Sequence, residues 1–404
     1  MKYIPLKAYY YKNNTEYEQE YLKRFNAPTT QHFDIEINQY NHTKSYPAFL
    51  CYSEDILQLT QQIYQAYTKL IRFEQTVPAI MIRQFALLSI LDEIKSTNDI
   101  EGVRSTKKEI REIMDNQSEV LKDARLQSVV DKYIKILDNQ KFSFKTCQDI
   151  RNFYDSFALN EVVSQNPNHA PDGKVFRKDP VVITSGTDKT LHQGIWPEAK
   201  LITAMDKALT ILNKEDMPLL VRLAVFHYLF GYIHPFYDGN GRTDRFITSY
   251  YLAKEFGHII ALRISITIKK KKNEYYEVFR NTDSEINRGD LTNFVIYFLK
   301  LLLETFDNAF PQLIRKREQL IKYRDKLNKM QLGDETSKQI YFTLFHATLF
   351  YGEGLTIKQL MEATHKARVT IQKRLDEMPK EHLTVFKETK PYRYKLNSML
   401  FKSE

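Results

Sequence analysis

The chain has 404 residues, is 43% hydrophobic and carries a net charge of +9, which allows two or three domains with a sizeable core. Its two cysteines, Cys51 and Cys147, exclude a disulfide framework and a CxxC metal site and point to a reducing, cytoplasmic setting. Met1 to Lys12 is polar and broken by Pro5, unlike a signal peptide, and no apolar run approaches a membrane span, so no membrane partner is expected.

The expected fold is mainly α, in three parts: an N-terminal helical region over 1–140, a central helical core over 141–310, and a connector helix with its own small domain over 311–404. Before residue 52 the pattern is irregular. Asp34-Ile35-Glu36-Ile37 alternates like a short strand, and Pro28 and Pro47 read as breaks. From Ser53 the pattern is helical, with an expected apolar stripe of Leu57, Leu59, Ile63, Tyr64 and Tyr67. After Pro78 a second helix runs from Ala79 to about Ile100. Thr97 and Glu101 are four apart and share a face, and Gly102 suits a helix stop. Ser105, with Lys107, Lys108 and Glu109, is expected to open a third helix.

Gly173 to Trp196 has strand character at Val175, Phe176, Val181, Val182 and Ile183, interrupted by Pro180, Gly186 and Gly194, and reads as a β-hairpin. Apolar helices then flank the stretch His234-Pro235-Phe236-Tyr237-Asp238-Gly239-Asn240-Gly241-Arg242-Thr243-Asp244-Arg245. Glycines on both sides of Asn240 let backbone N–H groups approach an anion, and the next helix N-terminus adds positive potential. Arg242 and Arg245 are three apart and suit polyphosphate oxygens. Asp238 is a hard oxygen ligand for Mg²⁺ beside them, and His234 is a candidate general base. Together these residues read as a site for a nucleoside triphosphate.

Further on, Lys269 to Lys272 reads as a solvated loop, Leu291 to Leu303 as an apolar core helix, and Ile314 to about Leu332 as a separate charged helix. The segment Gln312 to Glu404 holds 19 Lys and Arg against 11 Asp and Glu, so it carries +8 of the excess. Thr356 is placed to cap a short helix, Arg368 to Glu377 forms a second, and strands follow at 383–388 and 392–396. Helix, turn, helix and hairpin in this order resembles a winged helix-turn-helix. Arg368, Lys373 and Arg374 are candidate contacts to DNA, and a protein-docking or dimerisation role for the same domain stays open, including a homodimer.

The pattern HPFxDGNGRxxR at His234 to Arg245 resembles the signature of Fic-domain proteins, and Thr97-xxx-Glu101-Gly102 is similar to the inhibitory helix of one Fic subgroup. The resemblance implies a Fic helical core with a β-hairpin flap that docks a target protein's backbone. It implies a protein adenylyltransferase that moves AMP from ATP, with Mg²⁺, onto a Ser, Thr or Tyr hydroxyl of a target protein or of itself. His234 would be the base, Asp238 the metal ligand, and the amides of Gly239, Asn240 and Gly241 the phosphate cradle. Arg242 would hold the β-phosphate, and Arg245 the γ-phosphate once Glu101 releases it. Tyr275 and Tyr276 would line the nucleobase pocket, with one of the two left to a structural role. Two alternatives remain: removal of AMP at the same site, and a DNA-binding regulator whose Fic site is sensory.

Overall fold

The computed structural model describes residues 3–115, 125–184, 190–350, 354–387 and 391–401. They fall into two units, Met1–Lys69 with Ser89–Asp307, and Leu70–Leu88 with Asn308–Glu404.

The first unit opens with helices α1 (Leu6–Lys12) and α2 (Asn14–Phe25), the second capped by the Asn13 side chain, which accepts the Thr15 N–H at 3.0 Å. Strands β1 (Thr30–Asn38) and β2 (Ser45–Cys51) pair antiparallel. Pro47, expected as a break, lies inside β2; a two-stranded sheet consists of edge strands, where a missing N–H is tolerated. Helices α3 (Glu54–Glu74) and α4 (Ala79–Ile100) follow. On α3 the expected Leu59 and Ile63 are buried, but Ile56 takes the place given to Leu57, which is 62% exposed, because a helical period measured from Ile63 returns to 59 and 56, not 57. Helix α5 (Lys107–Asp115) is capped by Thr106 rather than Ser105: Thr106 Oγ1 accepts the Glu109 N–H at 3.1 Å. Ser105 is buried and accepts a bond from Asn98 Nδ2 at 3.1 Å.

Helix α6 (Gln127–Leu137) leads to α7 (Cys147–Phe157), which Thr146 and Asp149 start with a capping box, and α8 (Leu159–Gln165). The hairpin consists of β3 (Val182–Thr184) and β4 (Thr190–Gln193), and Gly186 lies outside the described residues. Val175 and Phe176, expected as strand, form a turn instead. Their N–H groups both donate to Glu198 Oε1 at 2.8 Å, at the start of α9 (Glu198–Leu212). Helix α10 (Leu219–Ile233) is apolar around most of its circumference, and all of its residues but Leu219, Arg222 and Gly231 are buried. It packs against α9 and against α11 (Asn240–Phe256). Short helices α12 (His258–Ala261) and α13 (Ile264–Lys270) then lead into α14 (Lys272–Asp283).

Helix α15 (Thr292–Lys329) runs unbroken where two helices were expected, with Pro311 inside it. Buried Phe306, Ala309 and Leu313 flank that proline, and their packing offsets the single backbone bond it removes. In the second unit α16 (Glu335–Phe350) is followed by β5 (Leu355–Thr356), α17 (Ile357–Thr364), α18 (Arg368–Glu377), β6 (Leu383–Phe386) and β7 (Arg393–Leu396). The sheet order is β5-β7-β6. Thr356 caps α17 in a capping box with Gln359. Glu388, Thr389 and Lys390 lie outside the described residues. Among the described residues no helix is long and apolar enough to cross a membrane.

Candidate active site

The turn between α10 and α11 is pinned from below by aromatic packing. Phe236 stacks on Tyr154 of α7 with ring centroids 3.6 Å apart and planes 9° apart, and meets Phe176 edge-on at 5.5 Å. The Asn240 side chain closes the loop from within. Its Oδ1 accepts the Phe236 N–H at 2.9 Å, and its Nδ2 donates to the Phe236 carbonyl at 2.7 Å. Asn240 thus shapes the cradle through its side chain and offers a ligand only its backbone amide. Gly239, at φ 77°, precedes the first turn of α11, a left-handed position that favours glycine. The N–H groups of Asn240, Gly241 and Arg242 then have no intrahelical acceptor, which makes this helix end an anion receptor.

His234 ends α10 in the left-handed region at φ 53°, with its N–H bonded to the Phe230 carbonyl at 3.0 Å. Nδ1 lies 3.3 Å from the Gly231 carbonyl. That acceptor selects the tautomer with hydrogen on Nδ1 and leaves the Nε2 lone pair free. Burial, then the nearby His192 and Arg177 charges, lower the imidazole pKa to about 4, so it is neutral at pH 7. Arg177 fixes the backbone here: Nε donates to the His234 carbonyl at 3.0 Å and Nη2 to the Ile195 carbonyl at 3.0 Å. A side chain at Gly194 would meet Arg177 at 2.5 Å and His234 Cβ at 2.9 Å. The end of the hairpin therefore lies directly against His234.

Asp238 projects from the turn with a side chain 37% exposed; Oδ1 accepts the Gly239 N–H at 2.5 Å, and Arg242 Nη2 stands 4.0 Å away. Among the described residues no cluster of three or more metal-ligating side chains exists. A single carboxylate beside a phosphate cradle is nevertheless the usual way Mg²⁺ is held, with phosphate oxygens and water completing its shell. Arg242 is 1% exposed and forms a buried ion pair with Glu161 of α8. Nothing in the spacing around Glu161 signals that pairing.

Arg245, also 1% exposed, is gripped by the end of α4. Nε donates to Thr97 Oγ1 at 2.8 Å, and Nη2 donates to the Thr97 carbonyl at 3.2 Å and to Glu101 Oε1 at 2.6 Å. Burial pushes the Glu101 carboxyl up, but Arg245, Arg242 and His234 outweigh it and hold the group below its usual range. A Cβ on Gly241 would collide with Glu101 Oε1, so the carboxylate lies over the first turn of α11. Gly102 follows at φ 75°. The lysine run expected as a solvated loop anchors this segment instead. Lys269 pairs with Asp99 at 2.6 Å, and Lys272 donates to the Ile100 carbonyl at 2.6 Å. Lys271 reaches Glu304 at 2.9 Å.

The two tyrosines on α14 separate. Tyr275 is buried, and its hydroxyl meets His227 Nε2 at 2.8 Å, inside a network that includes Asp244 and Thr248. Tyr276 is half-buried, close enough to Glu101 for that carboxylate to raise its phenol pKa further after burial. Tyr275 therefore packs, and Tyr276 borders the cradle. In the second unit Arg368 and Lys373 are exposed on α18. Arg374 bonds Glu377 at 2.6 Å and Asp334 at 2.5 Å, and Lys373 lies 3.9 Å from Glu377. Much of the basic face is thus neutralised within the protein.

The site is therefore a helix–turn–helix with free amides at the start of α11 and a neutral imidazole on its rim, carried by a mainly helical fold. Residues 146–252 match the Fic/DOC family. The chain is similar to protein adenylyltransferase Fic from Nematostella vectensis, 31% identical over 84 residues. That alignment covers 21% of this chain and spans 18% of the relative's length. A Fic family protein from Desulfovibrio desulfuricans G20 shares the fold, with a TM-score of 0.51 and 19% identity over 87% of this chain and 98% of that one. A Fic domain containing signaling protein from Bacteroides thetaiotaomicron superposes with a TM-score of 0.43 at 18% identity, over 64% of this chain and 97% of that one.

Proposed function

We propose that this protein transfers AMP from ATP to a hydroxyl side chain of a target protein, and that Glu101 holds the reaction back. The observation that carries the reading is the placement of neutral His234 beside the amide cradle of α11, with Arg242 and Arg245 on the same helix end. The target's Ser, Thr or Tyr oxygen attacks the α-phosphorus of ATP, and the bond to the β-phosphate bridging oxygen breaks. The hydroxyl proton passes to His234 Nε2, and pyrophosphate leaves. The cradle amides and Arg242 stabilise charge on the departing phosphates. Asp238 would hold Mg²⁺, which supplies charge neutralisation on the phosphate oxygens when bound. The flank of β3–β4 beside His234 is the surface on which the target segment lies.

Glu101 inhibits because it takes the guanidinium that a γ-phosphate needs and covers Gly241. Incubation of wild type and Glu101→Gly with ATP labelled on the α-phosphate, reading label on the protein itself and on added lysate, tests the assignment. Label on neither, with ATP shown to bind, sinks it. Removal of AMP is a second reading that the position of Glu101 favours, since its carboxylate stands over the cradle where it can orient a water. Release of AMP from a pre-labelled protein by wild type, but not by Glu101→Gly, would select that direction.

A further inference from the structure

We infer that Glu161 is a positioning residue that aims Arg242 at a phosphate oxygen of the nucleotide. The inference rests on the reading of the α10–α11 turn as a nucleotide-phosphate site. Glu161 is fully buried on α8, and its Oε2 binds Arg242 Nη1 while Gln165 Nε2 donates to Oε1. Both of its oxygens are thereby held. Arg242 is engaged on that one nitrogen only. Its Nε and Nη2 are buried without a hydrogen-bond partner, and Nη2 stands 4.0 Å from Asp238 Oδ1.

Two unsatisfied nitrogens on a buried guanidinium are costly, because each donor has lost water without gaining a partner. Burying the ion pair itself brings little net stability. Arg242 lies in the first turn of α11, beside the free amides and the candidate metal carboxylate. An anion in the cradle would satisfy the edge that Glu161 leaves open. Glu161 thus fixes one side of a planar fork so that the other side faces the ligand, which is preorganisation rather than binding. The competing account is a plain structural tie between α8 and α11.

The test is ATP affinity by titration calorimetry on the full chain with Mg²⁺. It uses the Glu101→Gly background and a double-mutant cycle of Glu161→Gln with Arg242→Ala. Glu161→Gln keeps shape and an acceptor but loses the charge that locks the fork. The expected result is an affinity loss on the order of tenfold when Arg242 is present, no further loss when Arg242 is alanine, and an unfolding temperature within a few degrees of the parent. Three results overturn the inference: unchanged affinity with lowered stability, a loss that persists without Arg242, or tighter binding from simple removal of negative charge. If Glu161→Gln does not fold, Glu161→Asp enters the same cycle, with an intermediate loss expected. Binding is read without chemistry. Normal coupling with no label transferred would therefore refute AMP transfer and leave Glu161 in place, and the reverse pattern would refute only Glu161.

Discussion

Glu101 and Arg245, 144 positions apart in the chain, meet at 2.6 Å over the first turn of α11. Glu101 Oε1 and the Thr97 carbonyl share Nη2, Thr97 Oγ1 takes Nε, and a Cβ at Gly241 would collide with Glu101 Oε1. A phosphate bound at this helix end would meet Glu101 at the same charge and in the same space.

Glu101→Gly is expected to raise incorporation of labelled AMP by roughly ten- to a hundredfold, the equivalent of one charge-assisted hydrogen bond returned to the ligand. Arg245→Ala should give no such gain, because it removes the phosphate partner together with the inhibitor's. Equal labelling by wild type and Glu101→Gly would show that the pair does not restrain the enzyme.

His234→Ala in the Glu101→Gly background should lose about 10²–10⁴-fold in transfer rate while ATP affinity changes little, since the imidazole contacts no cradle amide. Activity above about a tenth of the background would remove His234 from the base role.

The pH dependence should be atypical for a histidine enzyme. The base must be neutral to accept a proton, and burial sets its pKa at about 4 in the free protein. The acid limb of kcat/KM, which reports the free enzyme, is expected near that value, with no fall through the usual histidine range. Inhibition should behave alike. The Glu101 pKa is depressed, so the contribution of its ionised form is present above the ordinary carboxyl range and is lost only as pH falls through the depressed value. The ratio of Glu101→Gly to wild-type rates should stay flat from pH 8 to about pH 5; a ratio that shrinks across that interval contradicts the pairing.

Gly241→Ala separates release of inhibition from access to the cradle. The new methyl group would collide with Glu101 Oε1 and approach Arg245 Nη1 to 2.8 Å, so Glu101 must leave. The same methyl group fills the anion site. Calorimetry should therefore show weaker ATP binding than in Glu101→Gly, and labelling should stay low; activation equal to Glu101→Gly would place the phosphates elsewhere.

The C-terminal sheet domain should bind duplex DNA feebly. Arg374 is committed to Glu377 and Asp334, and Lys373 lies near Glu377, leaving too few free cations on α18 for a steep salt response. In a gel-shift series with the full chain at about 50 mM salt, no retarded band is expected. A strong band abolished by Lys373→Ala with Arg374→Ala would reverse this view.

What the sequence determined is what neighbours in the chain can build alone. His234 through Arg245 form one turn and one helix start, so their grouping follows from spacing, as does the Thr356 cap on α17. Capping at Thr106 instead of Ser105, and burial of Ile56 instead of Leu57 on α3, turned on which side chain the surrounding core could bury. Glu161 beneath Arg242 and the lysine run bracing the Glu101 segment have no local signature at all. The Arg374–Asp334 pair has none either. Those contacts exist because separate helices bring particular faces together, and a buried charge takes whatever partner the packing presents. The Glu101–Arg245 contact is the one the resemblance implied; the tertiary structure alone placed a second carboxylate, Glu161, against Arg242.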